Sequence, residues 1–455
     1  MTRRALLLAA LLVLAGCSAP TASPAADSAG ESGSTAGPAT ATGPAATGTA
    51  TSTDSGAGGA SDDGTATPAA TNRTPEDLAD GYEIRVRGGD LPVDYPLVFA
   101  RVAVMLERPA VEPPETVRVE PNERMSVGRS RFPEFYRLLG IRVPENRSSS
   151  LTAAAYVATP RTVYVNRAIL NDTAETESTL AHESVHVVQY RTGAFASVRG
   201  APAAPPGSTA ARLLRTAVVE GTATYVQGEY RDRYVPAAEP PAESLAAAAR
   251  NRSPAAALGI APYVAGARYV DGRVDDPAAV RDVYETPPRT AEELLHGLPP
   301  GSEPVAELRI EDVPDDGWEA DARTRDTHGE LFVRVAFDVG LPASTAADAA
   351  DGWGNDVRLR FENESAGDGT GGAGYAWALG FDDRANATEF AAAAARWRDA
   401  RPPDAAPVRV ERVSAETVVL LIGDRSFVGN ASVDGTDGSV TVRVGAEAGD
   451  GEAGT

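Results

Sequence analysis

The chain has 455 residues, 42% of them hydrophobic, which allows a large buried core and excludes disorder throughout. Its 64 Asp and Glu against 42 Lys and Arg give a net charge of -22, which argues against nucleic acid as a partner. Every one of those cations is arginine and only 6% of residues are aromatic, a surface suited to concentrated salt; a halophile, or the codon bias of a GC-rich genome, accounts for the missing lysine.

At the N-terminus Arg3 and Arg4 precede an uncharged apolar run from Ala5 to Leu14, followed by Leu14-Ala15-Gly16-Cys17. This is the layout of an export signal, residues 1–17, too short to span a bilayer. Thr2-Arg3-Arg4 followed by Leu6 and Leu7 resembles a twin-arginine signal, and the last four residues resemble a lipobox. Together they imply lipidation at Cys17 and an archaeal or bacterial lipoprotein anchored to the outer face of the cytoplasmic membrane; a cleaved ordinary signal with an incidental cysteine is the alternative. As the one cysteine, Cys17 also excludes an intrachain disulfide and a Cys-based zinc site.

Residues 18–74 are Ala, Thr, Ser, Gly and Pro with a few acids, and have nothing large to bury. We read them as a disordered tether with a root-mean-square span of roughly 40–45 Å. Sequons at Asn72, Asn146, Asn171, Asn251, Asn363, Asn386 and Asn430 make the exported chain a candidate glycoprotein.

Folded sequence starts near Thr74. The apolar spacing from Asp94 to Leu106 predicts a helix, and Thr116 to Val119 a strand. Tyr156-Val157 and Thr162 to Val165 flank Pro160 as a hairpin. Asp172, with Glu175 three residues on, opens a helix that runs to about Tyr190, before Gly193.

Within that helix lies His182-Glu183-Ser184-Val185-His186. Imidazoles at i and i+4 project about 40° apart, close enough to hold one divalent ion, while Glu183 points about 100° away beside an open coordination position. Apolar stripes run on both sides of the histidines (Ala181, Val185 and Val188; Leu180 and Val187), so the helix is expected to be buried on most sides. A third ligand is expected from the next helix, about Thr209 to Gln227, where Glu220 faces inward among Leu213, Ala217 and Thr224. Gly221 costs that helix roughly 1 kcal/mol relative to alanine, a cost that makes sense if another backbone passes close by.

His182-Glu183-x-x-His186 followed after 33 residues by Glu220-Gly221-x-Ala223 resembles the gluzincin metallopeptidases. Arg161 to Asn166, Leu180 to Glu183, Val187 to Gln189, Tyr263-x-x-Gly266, Glu293 to His296 and Gly352 to Asp356 are similar to exported HExxH proteins of haloarchaea and some bacteria; Asn355 departs from that group, as does Ser184, where a hydrophobic residue is usual. The resemblance implies an α+β fold with a zincin-like core, in which strands precede the HExxH helix and the Glu-ligand helix follows. It further implies Zn2+ held by His182, His186 and Glu220, and Glu183 as the base assisting attack of a zinc-bound water on a peptide bond of an envelope protein. Gln189 is placed behind the ligands, and Tyr263 and His296 are candidates for stabilising the transition state. A catalytically inactive surface protein with a structural metal site is the other reading.

The expected domains are a zincin-like region at 75–302, an α+β region at 303–444 and an acidic tail at 445–455. In the second region we predict a strand or helix at Leu331 to Phe337, helices at Ser344 to Ala350 and Ala387 to Arg398, and strands at Val357 to Phe361 and Tyr375 to Gly380. Val408 to Val413 and Thr417 to Ile422 form a final strand pair, Trp353, Trp377 and Trp397 serve as core anchors, and His328 is structural or exposed.

Overall fold

Short caps set the helix boundaries of the first half. The computed structural model describes residues 73–127, 132–142, 151–313, 317–363 and 372–445. Cys17 and the export signal, the tether, Asn72, Asn146 and the tail past 445 lie outside the described residues. Helix α1 (Pro75–Ala79) opens with a capping box at Thr74, and α2 (Tyr95–Met105) with the Asp94 side chain accepting from the Leu97 amide. Strands β1 (Arg85–Arg87) and β2 (Thr116–Glu120) run parallel. β3 (Ser126–Val127) and β4 (Leu151–Thr152) form a separate antiparallel pair, with α3 (Glu134–Leu138) between them in sequence.

β5 (Ala155–Thr159) and β6 (Thr162–Asn166) make the expected hairpin, with a bulge before Thr159. β6 pairs parallel to β2, so the sheet order is β1-β2-β6-β5 with the antiparallel strand on the edge. Val117, Val119, Val163 and Val165 are buried in one core with α2 and α4 (Thr173–Thr192). Asp172 caps α4 by accepting from the Glu175 amide, and Gly193 at φ 79° ends it.

α5 (Ala194–Arg199) leads to α6 (Thr209–Tyr234), capped by Ser208. α6 runs past the expected end near Gln227 because Tyr230 is fully buried in the first core and donates to Glu177 on α4. α7 (Pro241–Asn251), α8 (Pro254–Asp271), α9 (Val280–Glu285) and α10 (Ala291–His296) follow. Among the described residues no helix is long and apolar enough to cross a membrane.

The second half is an antiparallel five-stranded sheet buried on both faces. β7 (Arg309–Val313) and β8 (Trp318–Asp326) precede α11 (Glu330–Asp338) and α12 (Ala343–Ala350). β9 (Trp353–Asn363), β10 (Ala373–Phe381), α13 (Arg384–Asp399), β11 (Val408–Arg412) and β12 (Thr417–Gly423) complete the layer, in the order β11-β12-β10-β9-β8. Strand alternation splits its side chains: Tyr375, Trp377 and Leu379 face the helices, while Ala376 and Ala378 face the opposite core.

That opposite core is closed by a sheet β13-β14-β7. α14 (Arg425–Asn430) leads into its hairpin of β13 (Ala431–Thr436) and β14 (Ser439–Val444), and β7 adds to the hairpin in parallel. β11 and β12 therefore pair as expected but are not the last strands. Trp353, Trp377 and Trp397 are all core residues, as is His328. One apolar core crosses residue 302, joining Phe135, Tyr136, Leu213 and Leu258 to Phe332 and Trp377. The architecture is α+β with mixed and antiparallel sheets.

Candidate metal centre

α4 and α6 bring the three predicted ligands to one point. His182 Nε2 and His186 Nε2 are 3.2 Å apart; Glu220 Oε2 lies 3.4 Å from the first and 3.2 Å from the second. A triangle with these edges is one face of a tetrahedron whose centre lies about 2.0 Å from each corner, the usual distance from N and O donors to a tetrahedral divalent ion. All three residues are buried, as is every residue of α4 from Ser178 to Gln189, so the helix is indeed covered on most sides.

Hydrogen bonds behind the imidazoles fix which nitrogen faces the centre. Gln189 Nε2 donates to the Val219 carbonyl (2.9 Å) and to the Tyr284 hydroxyl (2.9 Å). A carbonyl can only accept, so Gln189 presents its Oε1 to His186 Nδ1 (2.7 Å), and that nitrogen carries the proton. His186 Nε2 therefore offers a lone pair to the centre. His182 Nδ1 likewise meets Gln227 Oε1 (3.1 Å), whose Nε2 donates to Ser178 Oγ (3.0 Å). Two lone pairs and a carboxylate oxygen converge in a buried interior, an arrangement that needs a positive charge between them.

The electrostatics express the same demand. With protons on the inward nitrogens in place of a metal ion, burial alone would raise the Glu220 carboxyl, yet His186 first, and hydrogen bonds from both histidines, hold it well below the usual carboxylate range. Burial works against a charge on His186, but Glu220 and Glu183 outweigh it and raise its pKa. Either a proton or a metal ion meets this requirement, and the donor set of two imidazoles and a carboxylate suits a borderline divalent metal.

Glu183 sits one residue along from His182 and is 2% exposed, and its Oε2 has no hydrogen-bond partner. Burial raises its pKa, Glu220 adds to this, and the two histidines oppose it. Tyr263 on α8 is buried with its ring parallel to that of His182, 6.4 Å centre to centre. His296 is elsewhere: its Nε2 lies 3.2 Å from Glu330 and 3.3 Å from Asp351, with Arg334 beside it. It belongs to an ion-pair cluster at the end of α10, where the motif context gave no hint of its partners.

Gly221 meets a close backbone as expected, that of α8. A Cβ on Gly221 would fall 2.3 Å from the Gly266 carbonyl carbon, and one on Gly266 1.8 Å from the Ala217 carbonyl oxygen. Ser184 is fully buried; its hydroxyl donates to Leu180 O and lies 3.3 Å from the Tyr95 hydroxyl, a polar contact with α2. Gln227 and Tyr284 were missed, since neither lies at a spacing that links it to the motif.

Of the described sequons Asn171 and Asn251 are exposed, Asn363 and Asn430 are half-buried, and half-buried Asn386 donates to the Asp351 carbonyl. The second half holds the start of the ligand helix: Asp326 on β8 accepts from both the amide and the hydroxyl of Thr209. No curated protein and no solved structure matches the chain. A family model described as a domain of unknown function, DUF8575, matches residues 316–454, which leaves the HExxH helix and Glu220 outside it.

Proposed function

We propose that the chain is a zinc peptidase of gluzincin type, exported and held at the cell surface by a lipid on Cys17, that hydrolyses peptide bonds of envelope proteins. The observation that carries this reading is the His182, His186 and Glu220 triangle with the unpartnered carboxylate oxygen of Glu183 beside it. A zincin-like core is supported by the order of elements, with β5 and β6 directly before α4 and the glutamate ligand on α6.

Bound zinc polarises a carbonyl oxygen and brings the pKa of a water to about 7. The chain supplies the rest. Gln189 and Gln227 hold the histidines with Nε2 inward. Glu183, its pKa raised by burial, takes a proton from the attacking water and returns it to the leaving nitrogen. Tyr263, its ring parallel to that of His182, is our candidate for stabilising the transition state.

Metal analysis together with peptide cleavage tests the reading. Purified chain should hold one zinc per molecule, and lose it when His182 and His186 become alanine. Glu220→Ala should lower zinc content; an unchanged content would show that the third ligand is another residue. Glu183→Gln should keep zinc while hydrolysis falls by about 10²–10⁴-fold. Stoichiometric zinc with no cleavage of a broad peptide library would defeat the enzyme reading. A metal-stabilised, non-catalytic surface protein is then the alternative, favoured by one feature: His182, Glu183, His186 and Glu220 are only 2–7% exposed, so the site is closed in this conformation.

A further inference from the structure

Three carboxylates meet around the start of α10, with no arginine paired to them among the described residues. Glu292 on α10, Glu303 on the loop after it and Asp382 just past β10 each place an oxygen within 4.8 Å of the other two. None of the three side chains has a hydrogen bond or an ion pair among the described residues, although the chain pairs many of its acids with arginine. Glu292 is the decisive one: the residue is 8% exposed, and a largely buried carboxylate without a partner calls for a neutralising cation.

Each carboxylate is held in place by its surroundings. Glu292 sits in the first turn of a helix capped by Thr290. Buried Glu293 accepts the amides of Gly301 and Glu303 on one oxygen and so fixes the loop that carries Glu303. The Asp382 amide donates to the Gly352 carbonyl. The oxygens thus come from three anchored segments on both sides of residue 302.

We propose that Glu292, Glu303 and Asp382 bind one calcium ion, which joins α10 and its loop to the end of β10. The ligands are all hard oxygens, which selects a hard cation over zinc. Calcium takes six to eight oxygens at about 2.3–2.6 Å in flexible geometry, which suits three carboxylates from separate segments completed by solvent, whereas magnesium demands a near-ideal octahedron at about 2.0–2.1 Å. Asp382 is exposed, so solvent can complete the coordination sphere from that side. Crowding acts in the same direction: burial first, then Asp382, Glu330 and Glu303, push the Glu292 carboxyl up to about 8 against the opposing effect of His296.

Calorimetric titration and thermal unfolding of the full chain, in buffer of constant ionic strength, test this with CaCl2 against MgCl2. One calcium per molecule should bind and raise the melting temperature by several degrees, with magnesium at least tenfold weaker. Glu292→Gln, which removes a carboxylate ligand without changing shape, should lose the calcium response. Asp382→Asn should weaken calcium at least tenfold, and Glu220→Gln should leave it unchanged. Equal responses to calcium and magnesium, or a calcium response that survives Glu292→Gln, would show diffuse counter-ion binding to an acidic surface and overturn the site. A wild type whose melting is indifferent to calcium would show that a shared proton neutralises the cluster.

Discussion

Gln189 Nε2 donates to the carbonyl of Val219, the residue immediately before Glu220, at 2.9 Å. Because the same side chain accepts from His186 on its other end, it sets the distance between ligands on two different helices. Gln189→Glu keeps an acceptor for His186 but places an oxygen against the Val219 carbonyl; Gln189→Leu removes both bonds. Partners of this kind are worth about 10–100-fold in metal affinity. We expect both variants to bind zinc at least tenfold more weakly than wild type in a competition titration with a chelating dye, with the helix content of the zinc-loaded protein retained. Equal affinity would mean that α4 and α6 hold the ligands without Gln189.

The crossing of α6 and α8 at Gly221 and Gly266 leads to a second expectation. A methyl group at either position meets backbone rather than a movable side chain, at 2.3 Å and 1.8 Å respectively. Overpacking typically costs about 1–3 kcal/mol and more when the backbone must shift, whereas in an open helix the same change gains about 1 kcal/mol. Gly221→Ala and Gly266→Ala should therefore lower stability in urea unfolding, against the sign that helix propensity predicts. Gly266→Ala should also displace Tyr263, three residues away, and change peptide turnover more than zinc content.

Much of this site was legible because it is local. His182, His186 and Gln189 lie on one helix, and a helix repeat is enough to place them on one strip. Glu220 was found because a carboxylate beside a glycine on an otherwise apolar face is anomalous. Gln227 and Tyr284 were not legible, since their roles come from the packing of α6 and α9 onto α4, which no spacing within a helix records. The same holds for β7, which pairs in parallel with β14 from far along the chain and has no turn to announce it. His296 shows the opposite failure: motif context placed it at the metal centre, but its carboxylate partners Glu330 and Asp351 draw it into another cluster.

Asp356 on β9 ties that strand to the turn before α11. It is fully buried and accepts from the amides of His328 and Gly329 and from the indole N–H groups of Trp353 and Trp377. Burial alone would raise its pKa, but the hydrogen bond and charge of His328, with the Gly329 amide and Trp377, bring it below an ordinary aspartate. Above the unfolded value of 3.8 the folded state gains from an ionised Asp356, and this gain is lost as pH falls from there through the lower folded pKa. Asp356→Asn cannot satisfy the same set of donors, because its amide nitrogen must face one of them. Breaking a buried charged network of this kind costs about 3–5 kcal/mol. We expect Asp356→Asn to lower stability by an amount of that order at pH 7, as read by urea unfolding, and the difference from wild type to shrink as pH is lowered below 3.8. A difference that stayed constant down to pH 2 would show that the asparagine disrupts packing and that the carboxylate charge contributes nothing.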